Sequence, residues 1–318
     1  MQTILGANGV IGTNLAKTLP QYTQKIRLVS RSPKKINETD ELVSADLLNR
    51  DQVFTAVEGS DIVYLTAGLP YNIDTWRIQW PIIMDNVIHA CKKQNAKLVF
   101  FDNVYCYGRV KGWMTEETPI KPVSKKGEVR ARIANMIQEE IGKGNLKALI
   151  ARAPDFYGPQ TPLSFINAMI FDNYAKSKKA QLMISDKFKH SIIFTPDAAK
   201  ATALLGNTES AFNQVWHLPT DRNTLTMKQI ADLSAEAFDV KAGYMVLPKW
   251  MLSALGLFIP VIKESIEMLY QNDSDYLFDS SKFDKTFDFK TTTYADGIRA
   301  TTASYQSVKK SKAAAPIV

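Results

Sequence analysis

Short apolar runs alternate with longer amphipathic stretches through the first half of the chain. Runs rich in β-branched and aromatic residues recur at TILGA, KIRLVS, DIVYLTA, KLVFFDN and KALIARAP, with helical patterns between them. These runs show little polar alternation, which is typical of strands that are covered on both faces. The pattern therefore predicts an α/β fold with a doubly wound parallel sheet.

The second half of the chain has a mixed pattern. Its predicted helices are LSFINAMIFDNYAKSKK, PDAAKATALLG, TMKQIADLSAEAF and VIKESIEMLYQ, and its predicted strand is QVWHLP. We expect residues 1–150 to form the sheet domain. Residues 151–318 are then a smaller α/β substrate region, interleaved with the sheet's carboxyl edge, where open α/β sheets bind ligands. The apolar run 251–262 is too short to cross a bilayer and contains Pro260, so it predicts a buried or partner-facing helix.

Composition narrows the class of protein. The 318 residues are 45% hydrophobic and 22% charged, as in an ordinary soluble chain, and the net charge of +7 is compatible with an anionic small molecule. No basic run is interleaved with aromatic residues, so we expect no nucleic-acid partner, and we expect no membrane partner. A homodimer is compatible with the sequence. Cys91 and Cys106 fit reduced thiols, and no secretory signal is visible, which predicts a cytoplasmic protein. The three histidines form no paired ligand motif, so no metal site is expected.

Three glycines follow the first predicted strand and open the first predicted helix. Gly6 permits a tight turn, Gly9 lets the backbone approach a pyrophosphate, and Gly12 allows the helix to lie close to the strand. The free N–H groups of the helix N-terminus would face the phosphates. A glycine-rich turn without a ligand is the alternative. The candidate cofactor contacts in this loop are Gly6, Asn8, Gly9, Val10, Ile11 and Gly12.

The G-x-x-G-x-x-G spacing resembles the short-chain dehydrogenase/reductase superfamily, and four later segments resemble its extended epimerase/dehydratase branch. DIVYLTAG resembles the family's fourth strand, and LVFFDNVYCYG its fifth strand with the Ser-Ser-x-x-x-Tyr-Gly turn. ARAPDFYGP resembles Arg-Pro-x-x-x-Tyr-Gly-Pro, and FTPDAAKATALL resembles the Val-x-Asp-x-Ala segment. The resemblance runs from Thr3 to about Gly297. It implies a Rossmann-type sheet, a nicotinamide dinucleotide, and a carbonyl or alcohol substrate that includes nucleotide sugars.

The end of the second predicted strand bears on the type of cofactor. NAD enzymes usually place a carboxylate there, but this chain reads RLVSRSPKK. Ser30, Arg31 and Lys34 could receive a 2′-phosphate, which favours NADP, with NAD still open; the alternative is a basic surface turn. The resemblance implies further contacts to the adenosine half of the cofactor at Asp46, Leu47, Thr66, Ala67 and Gly68.

The resemblance implies that the helix after the fifth predicted strand carries the catalytic residues. The family's Tyr-x-x-x-Lys places fall on Lys126 and Arg130, and its serine is replaced by Asn103. Arg130 can clamp ribose hydroxyls but cannot donate a proton at ordinary pH. Lys126 is the candidate acid, the alternative being a solvated lysine on a polar helix face. Tyr105 and Tyr107 are alternative acids or packing residues.

These observations predict an NADP-dependent oxidoreductase or epimerase-like enzyme with a non-standard active site. The alternatives are a catalytically silent cofactor-binding sensor and a structural partner that uses the fold only as scaffold. Arg152 is compatible with an anionic substrate. The segment MLYQNDSDYLFDSSKF predicts either a wall or lid of the substrate pocket or a polar surface loop, through Tyr270, Gln271, Tyr276, Asp279 and Lys282.

Overall fold

The structure, a computed structural model, describes residues 1–241 and 243–314. Its strands are β1 (Gln2–Leu5), β2 (Ile26–Ser30), β3 (Glu41–Ser44), β4 (Ile62–Leu65), β5 (Lys97–Asn103), β6 (Trp113–Met114), β7 (Ala148–Ala153), β8 (Asp155–Tyr157), β9 (Ala180–Met183), β10 (Ile192–Phe194), β11 (Val215–His217), β12 (Tyr244–Leu247) and β13 (Leu277–Phe278). Seven of them form one parallel sheet in the order β3-β2-β1-β4-β5-β7-β11. The predicted Rossmann-type sheet is thereby confirmed.

Helices lie on both faces of this sheet, and others pack against one another in the second half of the chain. They are α1 (Val10–Thr18), α2 (Arg50–Val57), α3 (Ile73–Gln94), α4 (Lys125–Gly142), α5 (Asp172–Ala175), α6 (Thr195–Gly206), α7 (Met227–Phe238), α8 (Lys249–Gly256), α9 (Pro260–Ser265), α10 (Ser281–Thr286) and α11 (Tyr294–Ala314). One apolar core lies between the sheet and α2, α3 and α4, and a second lies between the sheet and α1 and α6. Buried on both sides, the strands need no polar alternation, which explains their continuous apolar runs.

The second half of the chain adds short parallel pairs rather than a second large sheet. β8 pairs with β10, β9 with β12, and β6 with β13. The predicted boundary near residue 150 falls inside β7, and β11 from the later half joins the main sheet. The last predicted residues of this region, 315–318, lie outside the described residues.

Two predicted helices of the second half are more broken than their sequence pattern suggests. LSFINAMIFDNYAKSKK forms a π-helical turn (Asn167–Phe171) followed by the single turn of α5. VIKESIEMLYQ forms α9 and then a 3₁₀ segment (Ile266–Gln271). This second irregularity matters for the site, because the 3₁₀ segment contributes to it.

The apolar run 251–262 does not form one buried helix. It is divided between α8 and α9, and the turn between them leaves Leu257 80% exposed and Phe258 84% exposed. Trp250 on α8 is 69% exposed. The expectation of a buried helix is therefore wrong, while a partner-facing surface stays a prediction. Within the described residues, no helix combines the length and the apolar character needed to span a membrane.

Candidate functional site

The glycine loop joins β1 to α1 beside the point where the strand order of the sheet reverses. Gly6 has φ of +93°, and a Cβ there would lie 2.4 Å from the Cα of Ala67. A Cβ on Gly12 would lie 2.6 Å from the carbonyl oxygen of Gly6, so α1 approaches the loop backbone closely. A Cβ on Gly9 would meet nothing closer than 3.4 Å. Gly6 and Gly12 are thus required by packing, whereas Gly9 lies where the backbone is open to a ligand.

The start of α1 has the features of an anion site. Gly9 is the N-cap and supplies no side-chain cap, so the helix's first N–H groups are not satisfied by a capping side chain. Ile11 is buried in the core and Val10 is half-buried. The residues of this loop fit a pyrophosphate.

Asn8 ties the glycine loop to the loop after β2. Its amide donates to the carbonyl of Ser32 over 2.8 Å, and its Oδ1 accepts from the backbone N–H of Lys34 over 3.3 Å. Ser30 ends β2, and its hydroxyl accepts from the N–H of Ser32. The loop that was predicted to select the cofactor therefore lies next to the glycine loop.

Arg31 is exposed in that neighbouring loop. Its carbonyl accepts from the hydroxyl of Ser44, which holds its backbone in place. Glu41 on the adjoining β3 pairs with Arg27 at 2.9 Å instead. Arg31 is therefore left exposed at the end of β2.

The other candidate adenosine contacts lie in the loops after β3 and β4. The Asp46 carboxylate accepts from the N–H of Leu48, and the Leu47 carbonyl accepts from the Asn86 amide. The hydroxyl of Thr66 donates to Leu5 on β1. Ala67 and Gly68 follow Thr66, and a Cβ on Gly68 would meet no atom within 4 Å. These residues and the glycine loop share the sheet's carboxyl edge.

Lys126 lies in the first turn of α4, which Ser124 caps by accepting from the N–H of Gly127 over 3.0 Å. The Lys126 side chain is completely buried. Its ammonium donates to Glu264 Oε2 at 2.6 Å, to Glu267 Oε1 at 2.9 Å and to the Glu264 carbonyl at 2.8 Å. This burial excludes the alternative of a solvated lysine.

The two glutamates also bind the chain around Lys126. Glu264 accepts from the N–H of Ile73 over 3.0 Å, at the start of α3, and Glu267 accepts from the N–H of Lys125 over 2.7 Å. These hydrogen bonds hold α9 and the following 3₁₀ segment against the first turns of α3 and α4.

One helical turn further along α4, Arg130 belongs to a buried network. Its Nε and Nη2 lie 2.7 and 2.5 Å from Asp102 Oδ1, and its guanidinium packs over Trp80 and Phe100. Arg152 holds the other oxygen of Asp102 at 3.2 Å. Arg152 therefore neutralises a buried carboxylate and does not line the cavity described below.

Tyr107 continues the same network. Its hydroxyl accepts from Arg152 Nη1 and donates to His217 Nε2, each over 2.8 Å, while His217 Nδ1 donates to the carbonyl of Asp279. Burial, and then the charge of Arg152, lower the pKa of His217 to about 3, so the ring is neutral. Burial raises the pKa of Tyr107 to about 12. The hydroxyl of Tyr107 is fully occupied by structural partners.

Tyr105 lies on the other side of this turn and lines a cavity. Asn103 fixes the turn, because its Oδ1 accepts from the N–H of Tyr105 over 3.1 Å. The Tyr105 ring stacks on Trp76, with 6.4 Å between centroids. Burial raises the pKa of Tyr105 well above its ordinary value, so its hydroxyl is a hydrogen-bond donor. Of the four candidate catalytic residues, Tyr105 is the one in the cavity wall.

The cavity has a volume of about 530 Å³, counting its open mouth, and lies between the sheet edge and the second half of the chain. Asp155 and His190 both line it, with 2.8 Å between Oδ2 and Nε2. The ring of His190 stacks on Tyr276 at 4.4 Å. Gln271 also lines the cavity.

The segment predicted as a wall or lid is divided in its placement. Gln271 lines the cavity, and Tyr276 lies behind it, stacked on His190. Asp279 and Lys282 lie beside β11 instead, where Lys282 donates to the carbonyl of Val215 over 2.8 Å.

Tyr71, Asp155 and His190 line the cavity but were not among the site residues predicted from the sequence. Asp155 stands inside the segment ARAPDFYGP, so its charge in an otherwise apolar stretch was a usable signal. The local sequence around Tyr71 and His190 holds no comparable signal. In the described part of the chain, no group of three or more His, Cys, Asp or Glu side chains is arranged to hold a metal ion.

Comparisons with known proteins bear on the family and the fold of the chain. The model of the NAD dependent epimerase/dehydratase family matches residues 3–215. The chain is 26% identical over 135 residues to the uncharacterized protein y4nL of Sinorhizobium fredii, covering 42% of this chain and 37% of that protein. It is 26% identical over 147 residues to a 3beta-hydroxysteroid-dehydrogenase/decarboxylase (isoform 2) of Arabidopsis thaliana, covering 43% of this chain and 26% of that protein. The matches thus span well under half of either curated relative.

Among solved structures, UDP-glucose 4-epimerase of Thermus thermophilus in complex with NAD superposes with a TM-score of 0.79. The superposition covers 96% of this chain and 99% of that one, at 16% identity. At this identity the likeness shows the fold alone.

Proposed function

Because this chain belongs to the NAD-dependent epimerase/dehydratase family, we propose that it transfers hydride between a bound nicotinamide dinucleotide and a carbonyl or alcohol substrate. One observation carries the proposal: the glycine loop lies at the sheet's switch point with Gly9 open and the N-terminus of α1 uncapped. Backbone N–H groups and the helix dipole would bind the pyrophosphate there.

The same proposal favours NADP over NAD. Arg31 lies exposed at the end of β2, and Asn8 holds its loop against the glycine loop. No carboxylate follows in RLVSRSPKK to accept from a ribose 2′-hydroxyl. Ser30 and Arg31 could donate to a 2′-phosphate by charge-assisted hydrogen bonds.

The cavity residues suggest how the chain handles the proton. When bound, the dinucleotide supplies or accepts the hydride. Oxidation of an alcohol breaks its C–H bond, with the electron pair leaving as that hydride, and its O–H proton passes to the Asp155–His190 pair. Tyr105, kept protonated by burial, is a further hydrogen-bond donor in the cavity wall. Reduction runs through the same groups in reverse.

Lys126 takes a different part in this proposal. Its ammonium is occupied by Glu264 and Glu267, so it anchors the segment that closes the site instead of donating the proton. Arg130 is likewise bound to Asp102. It could donate to ribose hydroxyls only through those guanidinium N–H groups that Asp102 does not accept from.

A silent sensor is the second candidate function, and the same lysine favours it. The position where the family carries its tyrosine holds Lys126, paired with two carboxylates. A chain that binds the dinucleotide without exchanging a proton at this position would sense the cofactor and convert no substrate.

Dinucleotide binding is tested by the fluorescence of NADPH titrated with the protein. Gly9→Val places a branched side chain where the backbone must meet the pyrophosphate, so the fluorescence enhancement should disappear while the far-UV circular dichroism is retained. The matched control is Gly142→Val, because a Cβ there meets no atom within 4 Å. Normal NADPH binding by Gly9→Val would show that this loop is not the phosphate site.

A further inference from the structure

The cavity wall is mainly apolar and deformable. Four methionines line it, together with aromatic and branched aliphatic side chains: Met169, Met183, Met227 and Met268. Methionine is unbranched and polarizable, so such a wall adapts to apolar ligands of different shapes.

The charges at the cavity disfavour an anion. Of the residues that the structure describes, no lysine or arginine lines it, and its one carboxylate is Asp155. The ion cluster behind Tyr71 holds one ammonium, Lys126, against the two carboxylates of Glu264 and Glu267. A phosphate entering this cavity would lose its hydration without gaining a cationic partner, which is costly.

The cavity nevertheless has polar groups without partners. The Tyr71 hydroxyl and the Gln271 amide nitrogen are buried and have no hydrogen-bond partner among the described residues, and both residues line the cavity. Gln271 is only 6% exposed. Buried donors without acceptors are rare because each costs free energy, so these two indicate a ligand with an acceptor oxygen.

We propose that the substrate is an uncharged, largely apolar ketone or alcohol without a phosphate group, whose oxygen accepts hydrogen bonds from Tyr71 and Gln271. This inference rests on the proposed function, since it names the substrate class of the same site. It argues against a nucleotide sugar, whose diphosphate carries two negative charges that need cationic or N–H donors. The methionine wall holds the apolar part, and the two donors fix the oxygen.

The test uses the full chain with matched probes. Acetophenone and 2-tetralone represent uncharged ketones, 4-acetylphenyl phosphate is the same aryl ketone with a phosphate, and UDP-glucose represents nucleotide sugars. Saturation-transfer NMR and competition should show binding of a ketone, with 4-acetylphenyl phosphate weaker by about tenfold or more and no competition from UDP-glucose.

Tyr71→Phe removes one donor and keeps the ring. Ketone affinity should fall about two- to tenfold, the worth of one hydrogen bond, while stability to urea stays unchanged because the hydroxyl has no partner to lose. Tyr22→Phe on the surface is the matched control and should leave the affinity unchanged.

Three results would overturn this assignment. The first is saturation transfer to neither ketone, and the second is binding of 4-acetylphenyl phosphate or UDP-glucose as tight as that of acetophenone. The third is a Tyr71→Phe variant with full ketone affinity. NADPH fluorescence, measured separately, distinguishes the two proposals. Ketone binding without NADPH binding would remove the proposed function and leave the cavity's ligand class standing, whereas NADPH binding without ketone binding would remove the ligand class alone.

Discussion

Replacing Lys126 by methionine separates an anchoring role from an acid role. Methionine keeps most of the stem and removes the ammonium, which lies 2.6 and 2.9 Å from the carboxylates of Glu264 and Glu267. Two carboxylates would then face each other without a cation. Breaking a buried pair by removing one partner costs about 3 to 5 kcal/mol, and we expect about 3, because both glutamates keep some access to water.

Urea unfolding followed by circular dichroism measures this loss. Lys92→Met is the matched control, because Lys92 pairs with Glu140 at the surface and should cost less than about 1 kcal/mol. Adding Glu264→Gln and Glu267→Gln to Lys126→Met should recover part of the lost stability, since the unpaired charges are then gone.

A Lys126→Met chain with the stability of the wild type would show that the ammonium does not anchor this segment. If that chain also lost turnover by about a hundred- to ten-thousandfold, Lys126 would be the proton donor after all. Unchanged stability and unchanged turnover would remove both roles.

Four further predictions concern other parts of the chain. Arg31→Ala should weaken NADPH binding about ten- to a hundredfold and leave NADH binding unchanged by calorimetry, and equal effects on both would remove the 2′-phosphate assignment. His190→Gln should lower turnover about a hundredfold or more with unchanged NADPH affinity, and full activity would exclude it from proton exchange. Asp102→Asn leaves two buried guanidiniums without their carboxylate and should cost about 3 to 5 kcal/mol in urea unfolding, whereas a loss under 1 kcal/mol would contradict the network. The pKa of His217 is about 3 in the folded chain and about 6.5 in the unfolded chain, so only the unfolded chain gains this proton as the pH falls from 6.5. The free energy of unfolding should therefore drop by about 1.4 kcal/mol per pH unit below about pH 6.5. A His217→Asn chain with the same pH slope would contradict this.

The sheet was largely predictable from the chain because its strands are buried on both faces. Six predicted strands form where their apolar runs lie, whereas β3 (Glu41–Ser44) was missed because it is an edge strand with mostly exposed side chains. The short strand pairs, such as β6 with β13, join distant stretches of the chain over only two to four positions. No local periodicity can specify pairing of that kind.

The part of the candidate site formed by one continuous segment was predictable from the sequence. The parts formed by distant segments were not. The glycine loop is continuous in sequence, so its turn and its helix start could be read directly. The partners of Lys126 lie 138 and 141 residues away, in a stretch whose charges look like those of a surface helix. Asp155 and His190 meet across β8 and β10 in the same way. Burial of a charged side chain depends on such contacts, which the sequence does not display.

Hydride transfer itself is most directly tested by following the label from NADPH deuterated at C4 of the nicotinamide, on both faces, into a ketone. The wild-type chain is incubated with the labelled cofactor and each uncharged ketone, and the alcohols are analysed by mass spectrometry. The wild type should form an alcohol with deuterium on its carbinol carbon, and Gly9→Val should not. Binding of labelled NADPH with no deuterated alcohol from any ketone would contradict hydride transfer and favour the silent sensor.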